Sequence, residues 1–246
     1  MMFKIDSSAL PEAANYDPNF VTENGPRLVI WCYGLCYNTK LVAQAPTKWR
    51  DLWDPRFKGK AAINEALLEQ TVQMVNMAWN GRTTPIGDDV FQKLTELRPN
   101  LLTLWNNAAQ AEQLLRQGEI AITPFWNGRV YNLEKEGVPL EFVVPEEGMF
   151  VRASLYAMPR NPTNPELMLK YLNFIMGAPR QSQLAEQFFY GSGNRQVQVS
   201  SDLARKIVTG VPANMTRAKS EDFAAILDLS LIHISEPTRL RRISYA

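Results

Sequence analysis

Histidine is all but missing from this 246-residue chain, which has one, His233. A multi-histidine metal site is therefore impossible within one chain, and an imidazole-based catalytic triad would rest on that single residue. Two cysteines cannot build a disulfide framework. No charge of one sign dominates, because 26 Lys and Arg face 25 Asp and Glu. With no basic block either, a general electrostatic pull toward nucleic acid or anionic lipid is excluded. Long apolar runs are also missing: the stretch from Leu28 to Tyr37 falls well short of the roughly 18 residues that a membrane span needs. What is present is an apolar content of 46% with six tryptophans, enough for a core in one large domain or two small ones.

His233 itself lies in a tail, Leu229 to Ala246, that matches in frame the translation of a transposase-based sequencing-library adapter, with Leu229 to Arg239 reading LSLIHISEPTR. Residues 229–246 are therefore expected to be non-native and are set aside, as a tag would be. Without Arg239, Arg241, Arg242 and Glu236, residues 1–228 carry 23 basic and 24 acidic groups and no histidine. The start, Met1-Met-Phe-Lys-Ile-Asp6, has no basic region followed by an apolar stretch and so does not read as an export signal.

Periodicity predicts helices alternating with strands. A strand is expected over Arg27 to Asn38, and a helix over Glu65 to Asn80 closed by Gly81. Asp88 or Asp89 should cap a helix that ends before Pro99, followed by a strand from Leu101 to Trp105. Asn106 or Asn107 should cap Ala108 to Gln117, with Gly118 as the stop. Strands follow at Ile120 to Trp126, Leu140 to Val144 and Arg152 to Met158, and a helix starts at Asn127. Asn164-Pro165 opens a helix to Met176, and Pro179 opens another to Phe189. Such alternation argues an α/β architecture with largely parallel sheets. Cys32 and Cys36, four apart on a strand, are too distant for a disulfide and are expected as buried thiols.

Several blocks resemble one family. Trp49-Arg-Asp-Leu-Trp-Asp-Pro-Arg-Phe-Lys-Gly-Lys60 is similar to a segment of bacterial extracellular solute-binding proteins of the polyamine (spermidine/putrescine) type, the receptors of ABC importers. Lys4 to Pro11, Tyr37-Asn-Thr39, Gln117 to Ile122 with Trp126-Asn-Gly-Arg129, Pro145-Glu-Glu-Gly148 and Tyr190-Gly-Ser-Gly-Asn194 resemble further blocks of that family, in the same order. The resemblance implies a two-lobed, periplasmic-binding-protein-like fold of type II, with solute in an inter-lobe cleft and an incomplete first lobe here. It places residues 1–45 at the end of the first lobe's opening segment and crossover strand, and 46–150 in the second lobe. Residues 151–198 then return to the first lobe, and 199–228 head back towards the second. On this reading the chain is a piece of a longer protein, and the helices from Asn164 to Phe189 lack their sheet. Leu167, Leu172, Phe174 and Ile175 should then be exposed and the isolated chain prone to aggregate.

The resemblance also supplies candidate ligand contacts. Trp126 falls at a position lining the cleft, Asn127 follows it in the W-N-G block, and Glu69 aligns with a carboxylate that pairs with an ammonium. Trp31 could reach the hinge side of the cleft. Counting back from Pro159, Arg152 and Ser154 stand where polyamine binders carry an aromatic and an acid, which disfavours spermidine. Arg152 and Arg129 are instead suited to a carboxylate or phosphate. The partners implied are a small organic solute, polyamine-like or anionic, and a permease with its ATPase. No cofactor, metal, nucleic acid or membrane span is implied, and the full-length protein is expected to be a periplasmic or extracellular monomer. The alternatives are a ligand sensor on the same fold or a glycoside-acting enzyme using Glu65 with Glu69, or Glu146 with Glu147.

Overall fold

The computed structural model describes residues 2–210 and 216–219. The adapter-like tail, His233 included, lies outside the described residues. The chain divides into two compact units. Among the described residues the first comprises 2–32, 127–132, 151–210 and 216, and the second 33–126, 133–150 and 217–219.

The second unit is built on strands β3 (Ala61–Asn64), β4 (Leu101–Trp105) and β5 (Ile122–Trp126). β3 pairs in parallel with both β4 and β5, as the intervening helices require. Those helices are α1 (Leu68–Asn80), α2 (Asp88–Leu97) and α3 (Ala108–Gln117). The end of strand β2 (Gly25–Asn38) completes the sheet. It runs antiparallel to β5, with Tyr33 opposite Trp126, and antiparallel to β6 (Leu140–Val143), with Cys36 opposite Phe142. The sheet is therefore mixed, a correction to the largely parallel arrangement expected. Alternating helices and strands cannot reveal that a strand from an earlier segment enters in the opposite direction. Parallel pairing also joins β7 (Met149–Leu155), through Met149 and Phe150, to β8 (Ala218–Lys219).

Local signals explain the helix ends. Gly81 and Gly118 close α1 and α3 in the left-handed conformation, with φ of 67° and 69°. Asn107 caps α3 by accepting the Gln110 N–H. At α2 the capping position is Gly87, and Asp88 and Asp89 occupy the first turn instead, where their charge suits the helix dipole. Trp49, Leu52, Val75, Leu97, Trp105 and Phe125 are buried in this unit's core. The Trp49 indole donates to the Gly148 carbonyl at 2.7 Å.

The first unit contains the hairpin of β1 (Val21–Thr22) with the start of β2. It also holds the start of α4 (Asn127–Lys135) and helices α5 (Pro165–Met176), α6 (Ala178–Phe188) and α7 (Ser201–Lys206). Ile5, Leu10, Tyr16, Leu28, Met158, Leu172 and Met176 form its core, with Ile175 partly buried against it. Leu172 is thus buried, contrary to expectation, because Met168, Leu172 and Ile175 share the face of α5 turned to that cluster. Leu167 and Phe174 are exposed as expected, at 61% and 55%. Both cysteines are free and buried, and burial pushes both thiols up, which makes them poor nucleophiles.

Candidate functional site

Asn64, Trp105 and Trp126 are the last residues of β3, β4 and β5. Because these strands are parallel, the three lie together at the carboxyl edge of the second unit's sheet, where α/β folds place their ligands. Register reinforces this, with Asn64 opposite Trp105 and Tyr33 opposite Trp126. The rings form a continuous cluster of tilted and edge-to-face pairs. Trp126 lies 5.5 Å from Tyr33, 5.7 Å from Trp105 and 5.3 Å from Phe125, centroid to centroid. Tyr33, Trp105 and Phe125 are fully buried, so Trp126 alone of the four is partly exposed. The Trp105 indole N–H is spent on Thr123 Oγ1 at 3.0 Å, which fixes the ring supporting Trp126.

Carboxylate chemistry borders the cluster. The turn after β3 is pinned by Asn64, whose side-chain oxygen accepts the N–H groups of Ala66 and Leu67. Its backbone carbonyl accepts the Thr71 hydroxyl, and the Glu65 N–H donates to the Trp105 carbonyl at 3.0 Å. Glu69, half-buried in the first turn of α1, follows from this turn, with Glu65 exposed beside it. The Tyr33 hydroxyl is buried and has no hydrogen-bond partner among the described residues. Burial drives its pKa far up, the Asn64 side chain moderates this, and the negative charge of Glu69 adds to it. A phenol that stays neutral, a half-buried indole and a nearby carboxylate suit a small amine-bearing molecule.

The other predicted residues fall elsewhere. Asn127 is fully buried in the first unit and acts as a clasp. Its side-chain oxygen accepts the Cys32 N–H at 3.1 Å and its amide donates to the Phe189 carbonyl at 2.9 Å. Gly128 is required beside it, since a Cβ there would sit 2.1 Å from the Phe188 carbonyl oxygen. Two of the three residues of the W-N-G block therefore serve packing. Arg129 is exposed on α4. Trp31, Arg152 and Ser154 form a separate half-buried cluster in the first unit. Of the carboxylates considered for enzymatic chemistry, Glu146 pairs with Lys48 at 3.3 Å, and Glu147 accepts the Trp49 N–H at 3.1 Å.

Sequence reasoning passed over Tyr33, Asn64 and Trp105 as the buried neighbours that surround Trp126. The signal was present, since each of three successive strands ends on a large or amide side chain just before a turn into a helix. Among the described residues no cluster of His, Cys, Asp and Glu could hold a metal ion, and no helix is long and apolar enough to cross a membrane.

The fold, an open mixed sheet flanked by helices, is that of the periplasmic binding proteins, and residues 10–208 match the bacterial extracellular solute-binding protein family. The chain belongs to that family, whose members here are solute binders and not enzymes. It is 27% identical over 230 residues to the gamma-aminobutyric acid-binding protein of Pseudomonas aeruginosa, covering 89% of this chain and 64% of that one. It is also 27% identical over 226 residues to the spermidine/putrescine-binding periplasmic protein of Escherichia coli, covering 87% and 62%. The chain thus spans less than two thirds of the length of these relatives. An ABC transporter substrate-binding protein from Bradyrhizobium japonicum superposes with a TM-score of 0.79 at 25% identity, over 91% of this chain and 71% of that one.

Proposed function

We propose that this chain is the solute-binding part of a bacterial ABC importer's receptor, working outside the cytoplasmic membrane and delivering a small amine-bearing solute to a permease and its ATPase. The observation that carries this reading is the convergence of Asn64, Trp105 and Trp126 at three parallel strand ends, with Glu69 alongside. Trp126 offers its face to an ammonium group, the buried rings behind it hold that face rigid, and Glu69 supplies the compensating charge. The names of the relatives support this chemistry, since gamma-aminobutyric acid, spermidine and putrescine all carry a primary amine.

Calorimetric titration with putrescine, spermidine, 4-aminobutyrate and amine-free organic acids tests the proposal. At least one amine should bind. Trp126→Ala should weaken that binding by about 2 kcal/mol, roughly thirtyfold, through loss of a desolvated cation–π contact. Glu69→Gln should weaken it without unfolding the chain. Turnover of any of these compounds, or binding that ignores both substitutions, would sink the reading.

A further inference from the structure

We propose that Thr123 is a positioning residue for the amine site: it touches no solute itself and sets affinity by fixing the Trp105 ring against which Trp126 rests. This deepens the reading of the chain as a solute receptor and rests on it.

Thr123 is fully buried on β5, between Ile122 and Pro124, which are buried too. Val, with nearly the same shape and no hydroxyl to satisfy, would fill such a strand position at lower cost. The hydroxyl has a definite use. Its oxygen accepts the Trp105 indole N–H at 3.0 Å, and its own proton reaches the Pro124 carbonyl at 3.3 Å. With that proton engaged by the backbone, a lone pair stays turned toward the indole.

Thr123 and Phe125 are two apart on β5 and so share one face of the strand. The Trp105 ring spans that face, bonded to Thr123 and meeting Phe125 edge-on at 5.6 Å with an interplanar angle of 84°. It also meets Trp126, 5.7 Å away at 66°. The Trp105 backbone is held as well, since its carbonyl accepts the Glu65 N–H at 3.0 Å. Ring contacts alone leave a flat indole some freedom to pivot, and a directional bond to Thr123 removes it. Trp126 is half-buried, so on a loose support the solute itself would have to order that ring, with a loss of affinity. Thr123, Trp105, Phe125 and Trp126 all belong to the second unit.

The test titrates putrescine and 4-aminobutyrate into the intact chain by calorimetry. In parallel, the chain labelled with 5-fluorotryptophan is followed by fluorine NMR, the Trp126 signal being assigned by its loss in Trp126→Phe. Thr123→Val keeps the shape and removes the acceptor. It should weaken whichever amine the unaltered chain binds by about fivefold and broaden or split the Trp126 signal. Thr123→Ser keeps the oxygen and should recover most of both. Trp105→Phe removes the donor, and in that background Thr123→Val should cost no further affinity. A Thr123→Val chain with a lowered urea midpoint but unchanged affinity and Trp126 signal would overturn the proposal, since the bond would then serve stability alone. A loss that Thr123→Ser does not recover, or that persists undiminished beside Trp105→Phe, would overturn it too. Should Thr123→Val not fold by circular dichroism, Trp105→Phe takes its place, and unchanged affinity there counts against the proposal in the same way. If the unaltered chain binds neither amine, the receptor reading fails, and the Trp126 signal in Thr123→Val still decides whether Thr123 sets the ring.

Discussion

Helices α1 and α5 bury the wrong residues, each in its own way. In the second unit, α1 buries Gln70, Thr71, Gln73 and Asn76 almost completely. In the first, α5 leaves Leu167, Tyr171 and Phe174 more than half exposed. The difference lies in what surrounds each helix and not in its composition. α1 packs against β3, α2 and the turn at Trp49–Trp53, so every side of it is covered and its polar side chains must find partners inside. α5 packs against α6 and the turn at Pro11–Asn15, which covers one face only. An apolar stripe at positions 167, 171 and 174 is left in water, at the i, i+4, i+7 spacing that ordinarily marks a buried face.

The comparison breaks most clearly in the fully enclosed unit. Trp49 has no exposed surface, its indole donates to Gly148, and its ring lies 6.5 Å from Phe150 and 6.4 Å from Tyr33. Trp49→Ala should cost about 3–5 kcal/mol, read as a lowered urea midpoint. A loss below about 1 kcal/mol would mean that the second unit relaxes as freely as an exposed surface and that its enclosure is not a source of stability.

A smaller effect sharpens the role of the buried polar residues. The Asn76 amide donates to the Pro85 carbonyl at 2.9 Å, and its oxygen accepts from Asn80, which also reaches Asp89 at 2.7 Å. Through these contacts Asn76 ties the loop after α1 back onto the helix. Asn76→Ala removes two hydrogen bonds and should cost about 1–3 kcal/mol, with hydrogen exchange rising first around Pro85 to Asp89. An unchanged midpoint would show that the amide row of α1 is tolerated without holding anything.

Much of this was legible from local chemistry. Asn107, Gly118, Gly81 and Asn164 act within a few residues of themselves, so a single sequence discloses the helix ends they set. The direction of β2 and the convergence of Asn64, Trp105 and Trp126 depend on which strands become neighbours, which no local pattern states. Asn127 shows the reverse failure. Its block drew attention to ligand contact, yet a buried amide bonded to Cys32 and Phe189 is committed to the backbone on both sides. Arg152 drew attention because it and Ser154 stand where polyamine binders carry an aromatic and an acid, and its approach to the Trp31 ring could be seen only once β2 and β7 were in place.

The smallest expected effect tests the exposed side of the comparison. Leu167 stands at the first turn of α5 with 61% of its surface in water, and the bond that starts the helix runs from its backbone N–H to Asn164 rather than from its side chain. Leu167→Gln keeps that cap and has little helix propensity to lose, so stability should change by no more than about 0.5 kcal/mol. Solubility should rise as the stripe is interrupted. A destabilisation of about 2 kcal/mol or more would require that Leu167 be covered in solution, and the contrast between α1 and α5 would then reflect a missing neighbour and not a face the protein leaves open.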